Sequence, residues 1–130
     1  MELTLLQLVS RAMERITEVS VDDFENSRLD DAVVIDVREP DEHQEGHIPG
    51  SVNIPRGVLE AEVDTSQEMN GKIAPELQSR ERPIYLYCRT GGRSALAADV
   101  LQEMGFTNVL SLAGGMVAWN DWQKNLWRNG

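Results

Sequence analysis

Three short apolar runs rich in β-branched residues constrain this chain most: "AVVIDV" at 32–37, "PIYLYC" at 83–88 and "NVLSL" at 108–112. A continuous run of this length, without polar alternation, is the pattern of a strand covered on both faces. Between the last two runs lies "SALAADVLQEMG". Leu96, Val100 and Met104 recur there every four residues, with Ala97 and Leu101 beside them. Gly105 stands where a helix commonly places its terminating glycine. Strand, helix and strand joined by short links form a right-handed crossover, so the sheet is expected to be mostly parallel and the fold α/β.

The remaining elements fit around this unit. Leu5, Leu8, Val9, Ala12, Met13 and Ile16 have helical spacing and predict a helix over about residues 3–15. "ITEVS" at 16–20 is a short strand candidate. Ser20 is placed to cap a helix over 21–28, whose first turn carries Asp22 and Asp23. After "AGG" at 113–115, Trp119, Trp122 and Leu126 mark one face of a C-terminal helix, while Trp127 is left open. The stretch 56–82 is the least regular, with short helices expected over 58–63 and 75–78. The 130 residues suit one domain with an N-terminal helical extension at 1–15 and the main body at 16–130.

Charge narrows the partners. The net charge is −10, and residues 1–48 hold 13 acids against 4 bases. Such a surface disfavours nucleic acid and anionic membranes. No apolar run approaches a membrane span of about 18 residues, and the N-terminus lacks the pattern of a secretory leader. One cysteine makes no intramolecular disulfide, and no Cys/His cluster suggests a metal. The expected location is therefore the reducing cytoplasm.

That single cysteine carries the chemistry. "LYCRTGGRSAL" places Cys88 at the end of a buried strand, with a helix expected from Arg93 or Ser94. The loop between them lies at the carboxyl edge of the sheet, where open α/β sheets bind ligands. Gly91 and Gly92 allow successive backbone N–H groups to turn toward one point and form an anion nest. The amides, the helix start, Arg89 and Arg93 all favour a charged Cys88 sulfur. The plain structural alternative is a buried cysteine above a glycine turn. The coincidence of all these features within seven residues favours a nucleophile.

Two chemistries could use the nest. Cysteine phosphatases place an arginine six residues after the nucleophile, in a loop that wraps a whole phosphate. Here position six is Ser94 and Arg93 is at position five, so the cradle is tighter and suits a persulfide sulfur better. Sulfur transfer is the better match, and a phosphatase or arsenate-reductase-like enzyme is the weaker one.

The chain resembles the single-domain members of the rhodanese-like sulfurtransferase family. "VVIDVREPDEHQEGHIPGSVNIP" at 33–55, "YCRTGGRS" at 87–94 and "AGGMVAW" at 113–119 carry the resemblance, which covers roughly residues 17–125. It implies a three-layer fold: a mainly parallel five-stranded sheet with helices on both faces. It implies that Cys88 accepts sulfur and that Arg89, Thr90, Gly91, Gly92, Arg93 and Ser94 cradle it. Arg93 would brace the loop or meet an anionic substrate. Asp36 would hold the loop by hydrogen bonds or, equally, form an ordinary strand-end ion pair, and Arg38 would be structural or ion-paired. The implied partners are a small sulfur donor, thiosulfate or a persulfide, and a thiol or protein acceptor. No metal or organic cofactor is implied, and a delivery module acting within a complex is the alternative to a free enzyme. Thr90 and Glu42 replace cations that thiosulfate-specialised relatives carry, which implies that thiosulfate is a poor donor. His43 and His47 read as structural residues before the Pro49–Gly50 turn, and "DEHQE" reads as a solvated helix face.

Overall fold

A computed structural model describes residues 2–64, 77 and 79–129, with side chains as far as Leu126. The elements follow the chain as α1 (Leu5–Met13), β1 (Thr17–Val19), α2 (Val21–Ser27), β2 (Val33–Asp36), α3 (Pro40–Glu45) and β3 (Val52–Asn53). They continue as a 3₁₀ turn (Arg56–Val58), α4 (Leu59–Val63), β4 (Ile84–Tyr87), α5 (Gly92–Glu103), β5 (Val109–Leu112) and α6 (Gly115–Asn129). The helix expected over 75–78 falls outside the described residues, Leu77 excepted.

The five strands form one sheet in the order β1-β5-β4-β2-β3. All four pairings are parallel, with Asp36 beside Tyr87 and Leu86 beside Ser111. Every residue of β2 and β4 is buried, as their unbroken apolar runs require. Alternation then splits each strand between two cores. Val33, Ile35, Ile84 and Leu86 meet Leu59, Ala97, Ala98 and Leu101 on one face. Val34, Tyr85 and Tyr87 meet Phe24, Met116 and Trp119 on the other. The Phe24 ring stands edge-on to Tyr85 at 5.0 Å and to Trp119 at 6.4 Å. The architecture is α/β with three layers, and β3 is the strand for which no separate apolar run gave warning.

Helix ends follow the local sequence. Thr4 and Gln7 form a reciprocal capping box on α1, and the Ser20 side chain accepts from the Asp23 N–H. Gly105 turns with φ 97° just past α5.

Three apolar stripes are placed differently from the expectation. On α5 the sheet-facing residues are Ser94, Ala95, Ala97, Ala98 and Leu101, and Leu96 and Val100 are half-buried. Small side chains bring the helix close to the sheet, so they occupy its inner face. On α1 only Ala12 is buried, and Leu5 is 67% exposed. Val9 lies against Gly92, and Arg15 pairs with Asp99, so α1 runs alongside α5. The turn before Val9 extends past the start of α5 and has little to pack against. On α6, Trp119 is buried, but Leu126 is 57% exposed and leaves the core.

Candidate active site

Cys88 directly follows β4 and is 1% exposed. Its Sγ accepts hydrogen bonds from the Gly91 N–H at 3.1 Å and the Ser94 N–H at 3.4 Å. Gly91 makes this possible with φ 117°, a left-handed conformation costly for other residues. The helix begins at Gly92, one residue before the expected start, so the sulfur faces the first turn of α5. Amides and helix dipole converge there on one point, a geometry that stabilises negative charge on sulfur.

A buried hydroxyl chain supports the loop from behind. The Cys88 thiol lies 3.6 Å from Ser94 Oγ, which also donates to the Gly91 carbonyl at 3.2 Å. Ser111 of β5 donates to Ser94 Oγ at 2.9 Å, and both serines are fully buried. Ser111 sits in an apolar run and gave no signal in the sequence.

The far side of the loop is held by the start of α6. The Met116 and Val117 N–H groups donate to the Cys88 and Arg89 carbonyls at 2.8 and 3.1 Å. Gly115 lies so close that a Cβ there would collide with both carbonyl oxygens, and its φ is 54°. This explains the glycine pair in "AGG", whose role was not foreseen.

Arg93 does not point freely at the sulfur. It donates to both carboxylate oxygens of Glu42 at 2.9 and 3.1 Å. This pair holds the Glu42 carboxyl at about 2, well below its ordinary 4.5, with help from the Glu39 N–H. Glu42 is thus not simply part of a solvated helix face: α3 turns it onto the loop that follows Cys88. Arg89 and Thr90 are exposed at the loop's outer edge.

Of the two readings open for Asp36, the structure shows the ion pair and not hydrogen bonds to the loop. Asp36 is fully buried and bonds not to the loop but to Arg38 and His43. Burial pushes its carboxyl up, but hydrogen bonds from the Arg38 side chain, the Arg38 N–H and His43 outweigh this and leave it below its ordinary 3.8. Arg38 is ion-paired with Asp36 at 2.7 Å and also reaches the Gly46 carbonyl at 2.7 Å. The reason is directional. Asp36 ends its own strand, and the nearest donors come from the turn that follows it. The two histidine rings stack at 3.8 Å, and His47 Nδ1 lies 2.8 Å from the His43 carbonyl. Neither ring is hydrogen-bonded to Cys88. Tyr87 adds a buried hydroxyl, which accepts from the Ile48 N–H at 3.1 Å and meets Ser51 Oγ at 2.9 Å, fixing the turn beside the site.

A groove of about 260 Å³ opens beside the loop, between α3 and α6, with Arg38, Glu42, Glu45 and Arg89 in its walls. Among the described residues, no group of three or more His, Cys, Asp or Glu side chains could hold a metal ion. No helix among them is long and apolar enough to cross a membrane.

Known proteins resemble this chain in sequence and fold. Residues 20–121 match the model of the rhodanese-like domain. The chain is 36% identical over 94 residues to a putative mitochondrial thiosulfate sulfurtransferase of Schizosaccharomyces pombe, covering 68% of this chain and 63% of that protein. It is 36% identical over 92 residues to the thiosulfate sulfurtransferase GlpE of Pseudoalteromonas translucida, covering 69% and 74%. Among solved structures, a Rhodopseudomonas palustris protein of unknown function, described as a possible tyrosine phosphatase, superposes with a TM-score of 0.83 at 31% identity, covering 95% and 93%. The chain spans only 51%, 60% and 63% of the length of three of the curated relatives, the S. pombe protein among them. By the extent of the matched domain and its likeness to these relatives, the chain belongs to the rhodanese-like family.

Proposed function

We propose that this protein is a sulfurtransferase that carries sulfur as a persulfide on Cys88. The observation that supports this best is the pair of N–H groups from Gly91 and Ser94 aimed at the Cys88 sulfur. In the first half-reaction the Cys88 thiolate attacks the outer sulfur of a donor such as thiosulfate. A new S–S bond forms, the donor's S–S bond breaks, and sulfite leaves with its electron pair. The fixed amides then stabilise charge on the bound sulfur without reorganising. In the second half-reaction a thiophilic acceptor, cyanide or a thiol, attacks the outer sulfur and restores the Cys88 thiolate. Neither step needs a metal or an organic cofactor. A nucleophilic thiol without a disulfide partner suits a reducing compartment, which agrees with the cytoplasm.

The phosphatase description of the R. palustris protein favours a second reading, phosphate-ester hydrolysis at the same cysteine. Two features disfavour it. Arg93 is five residues from Cys88 rather than six, and both its outward nitrogens already serve Glu42. The deciding experiment is intact-mass measurement after incubation with thiosulfate, with Cys88→Ser as control. A gain of one sulfur atom in the parent alone supports sulfur transfer. No gain, together with hydrolysis of p-nitrophenyl phosphate, overturns it. Sulfur uptake that turns over only when a partner protein is added would favour the delivery module over the free enzyme.

A further inference from the structure

The Ser94 hydroxyl has every hydrogen-bonding position filled while Cys88 is a thiol. Its hydrogen goes to the Gly91 carbonyl at 3.2 Å. Its oxygen accepts from the Ser111 hydroxyl at 2.9 Å and from the Cys88 thiol at 3.6 Å. One hydrogen and two lone pairs are all that a serine side chain offers. Ser111 stands in the apolar strand β5, in register with Leu86, and is fully buried. A hydroxyl in such a place is costly unless it is bonded. Among the described residues its side chain has no partner other than Ser94.

Loss of the thiol proton changes this count. Cys88 then has no hydrogen to give, and the 3.6 Å contact sets an anion against a hydroxyl oxygen. The Ser94 O–H relieves this by rotating about its Cβ–Oγ bond to donate to Cys88 Sγ. The turn orphans nothing, because the Gly91 carbonyl keeps the Ala95 N–H at 3.0 Å. The sulfur then has three donors: the Gly91 N–H at 3.1 Å, the Ser94 N–H at 3.4 Å and the Ser94 hydroxyl. Hydrogen bonds to the charged form favour it. Ser111 donates to Ser94 Oγ in both states, and a hydroxyl that accepts one bond is a stronger donor in the next.

We propose that Ser111 is a positioning residue for charge on the Cys88 sulfur. Its hydroxyl holds Ser94 Oγ as a two-way donor, turned to the Gly91 carbonyl when Cys88 is a thiol and to Cys88 Sγ when it is a thiolate. Ser111 acts through Ser94 and touches neither the sulfur nor a substrate. The thiol proton goes to a solvent base. No proton passes along the hydroxyls, and only the Ser94 O–H changes direction. The part this plays in sulfur transfer rests on the persulfide reading of Cys88. In that cycle the charge appears on Sγ twice, when the thiolate attacks the donor and when an acceptor takes the outer sulfur and releases the thiolate.

A single cysteine makes the test direct. The thiolate-to-thiol ratio is read from the ultraviolet absorbance of the thiolate, with Cys88→Ser as the blank, at a pH where the parent holds both forms. Ser111→Ala is expected to lower the ratio about threefold, the low end of the effect of one hydrogen bond. Ile84→Val is the control. It deletes a methylene from the buried neighbouring strand and leaves the hydroxyl chain intact, so it should weaken the fold without changing the ratio. Ser111→Thr restores the hydroxyl and should return the ratio to that of the parent. If its added methyl prevents folding, Ser111→Ala and Ile84→Val decide. An unchanged ratio in Ser111→Ala, or an equal fall in Ile84→Val, overturns the assignment. Sulfur uptake from thiosulfate, followed by intact mass, is expected to slow in Ser111→Ala by the same factor as the ratio falls. A parent that takes up no sulfur, while its ratio still exceeds that of Ser111→Ala, refutes the persulfide reading and supports the assignment of Ser111.

Discussion

The Ser111 hydroxyl donates to Ser94 Oγ at 2.9 Å, tying the neighbouring strand to the wall of the Cys88 cradle in a fully buried setting. Ser94 in turn supplies one of the two N–H groups on the sulfur. Removing the Ser111 hydroxyl leaves Ser94 Oγ with the Cys88 thiol as its remaining donor. Ser111→Ala should cost about 1 kcal/mol, the usual net contribution of one hydrogen bond. Chemical denaturation reads this directly. An unchanged midpoint at unchanged slope would show that the bond contributes nothing to stability.

Gly115 gives a sharper steric prediction. It has φ 54° and faces the Cys88 and Arg89 carbonyl oxygens at closer range than a Cβ allows. Gly115→Ala should destabilise by about 3 kcal/mol through strain and forced displacement of the loop. Gly46 is the control. Nothing lies within 4 Å of a Cβ built there, so Gly46→Ala should change stability by less than about 0.5 kcal/mol. Comparable thermal midpoints for the two variants would contradict the packing described for α6.

Asp36 and Arg38 form a buried pair whose exposures are 0% and 8% at the side chain. Asp36→Asn leaves Arg38 without its counter-charge and should cost about 3 to 5 kcal/mol. Because the folded state holds the Asp36 carboxyl below 3.8, its contribution is complete above that pH and is lost as the pH falls further. The gap between parent and variant should therefore shrink on acidification. A gap that stays constant from pH 7 down to pH 2 would refute this.

Glu42 should behave the same way on a smaller scale. Its folded carboxyl titrates at about 2 against an ordinary 4.5, so the pair with Arg93 stabilises above pH 4.5 and fades as the pH approaches 2. The pair is partly exposed, with 39% of the Arg93 side chain and 31% of the Glu42 side chain reaching solvent. Its contribution is therefore only about 0.5 kcal/mol at neutral pH. Unfolding curves of Glu42→Gln and parent, recorded at pH 7 and pH 2.5 in equal salt, should differ at the first pH and nearly converge at the second.

Much of this protein was legible in its sequence because the relevant physics is local. Buried parallel strands need unbroken apolar runs, so β2, β4 and β5 announced themselves. The αL glycine past a helix is local, and so is the serine cap, so Gly105 and Ser20 were readable. Thr17–Val19 was readable only as a short extended segment, and Val52–Asn53 was too short to register without its neighbour. The cradle was visible because Cys88, Gly91 and Ser94 lie within seven residues. Ser111 was not visible: a hydroxyl inside an apolar run declares nothing until the adjacent strand is known. For Asp36 the sequence left the loop and a strand-end ion pair both open, and the structure shows the ion pair, for a related reason. Its strand neighbours the one that leads to Cys88, but its side chain meets the donors of its own following turn first.

The sequence by itself determined the order of the elements, the parallel sheet and the cysteine at its carboxyl edge, because spacing and residue type dictate them within a few turns of chain. Tertiary structure alone decided which charges remain free. Arg93 and Glu42 are 51 positions apart and pair only because α3 folds over the loop. Arg89, three residues from Gly92, is left without a partner because no acid among the described residues reaches it. Over such separations the chain's composition sets only the net charge, and the packing of helices on the sheet assigns each cation to a partner or to solvent.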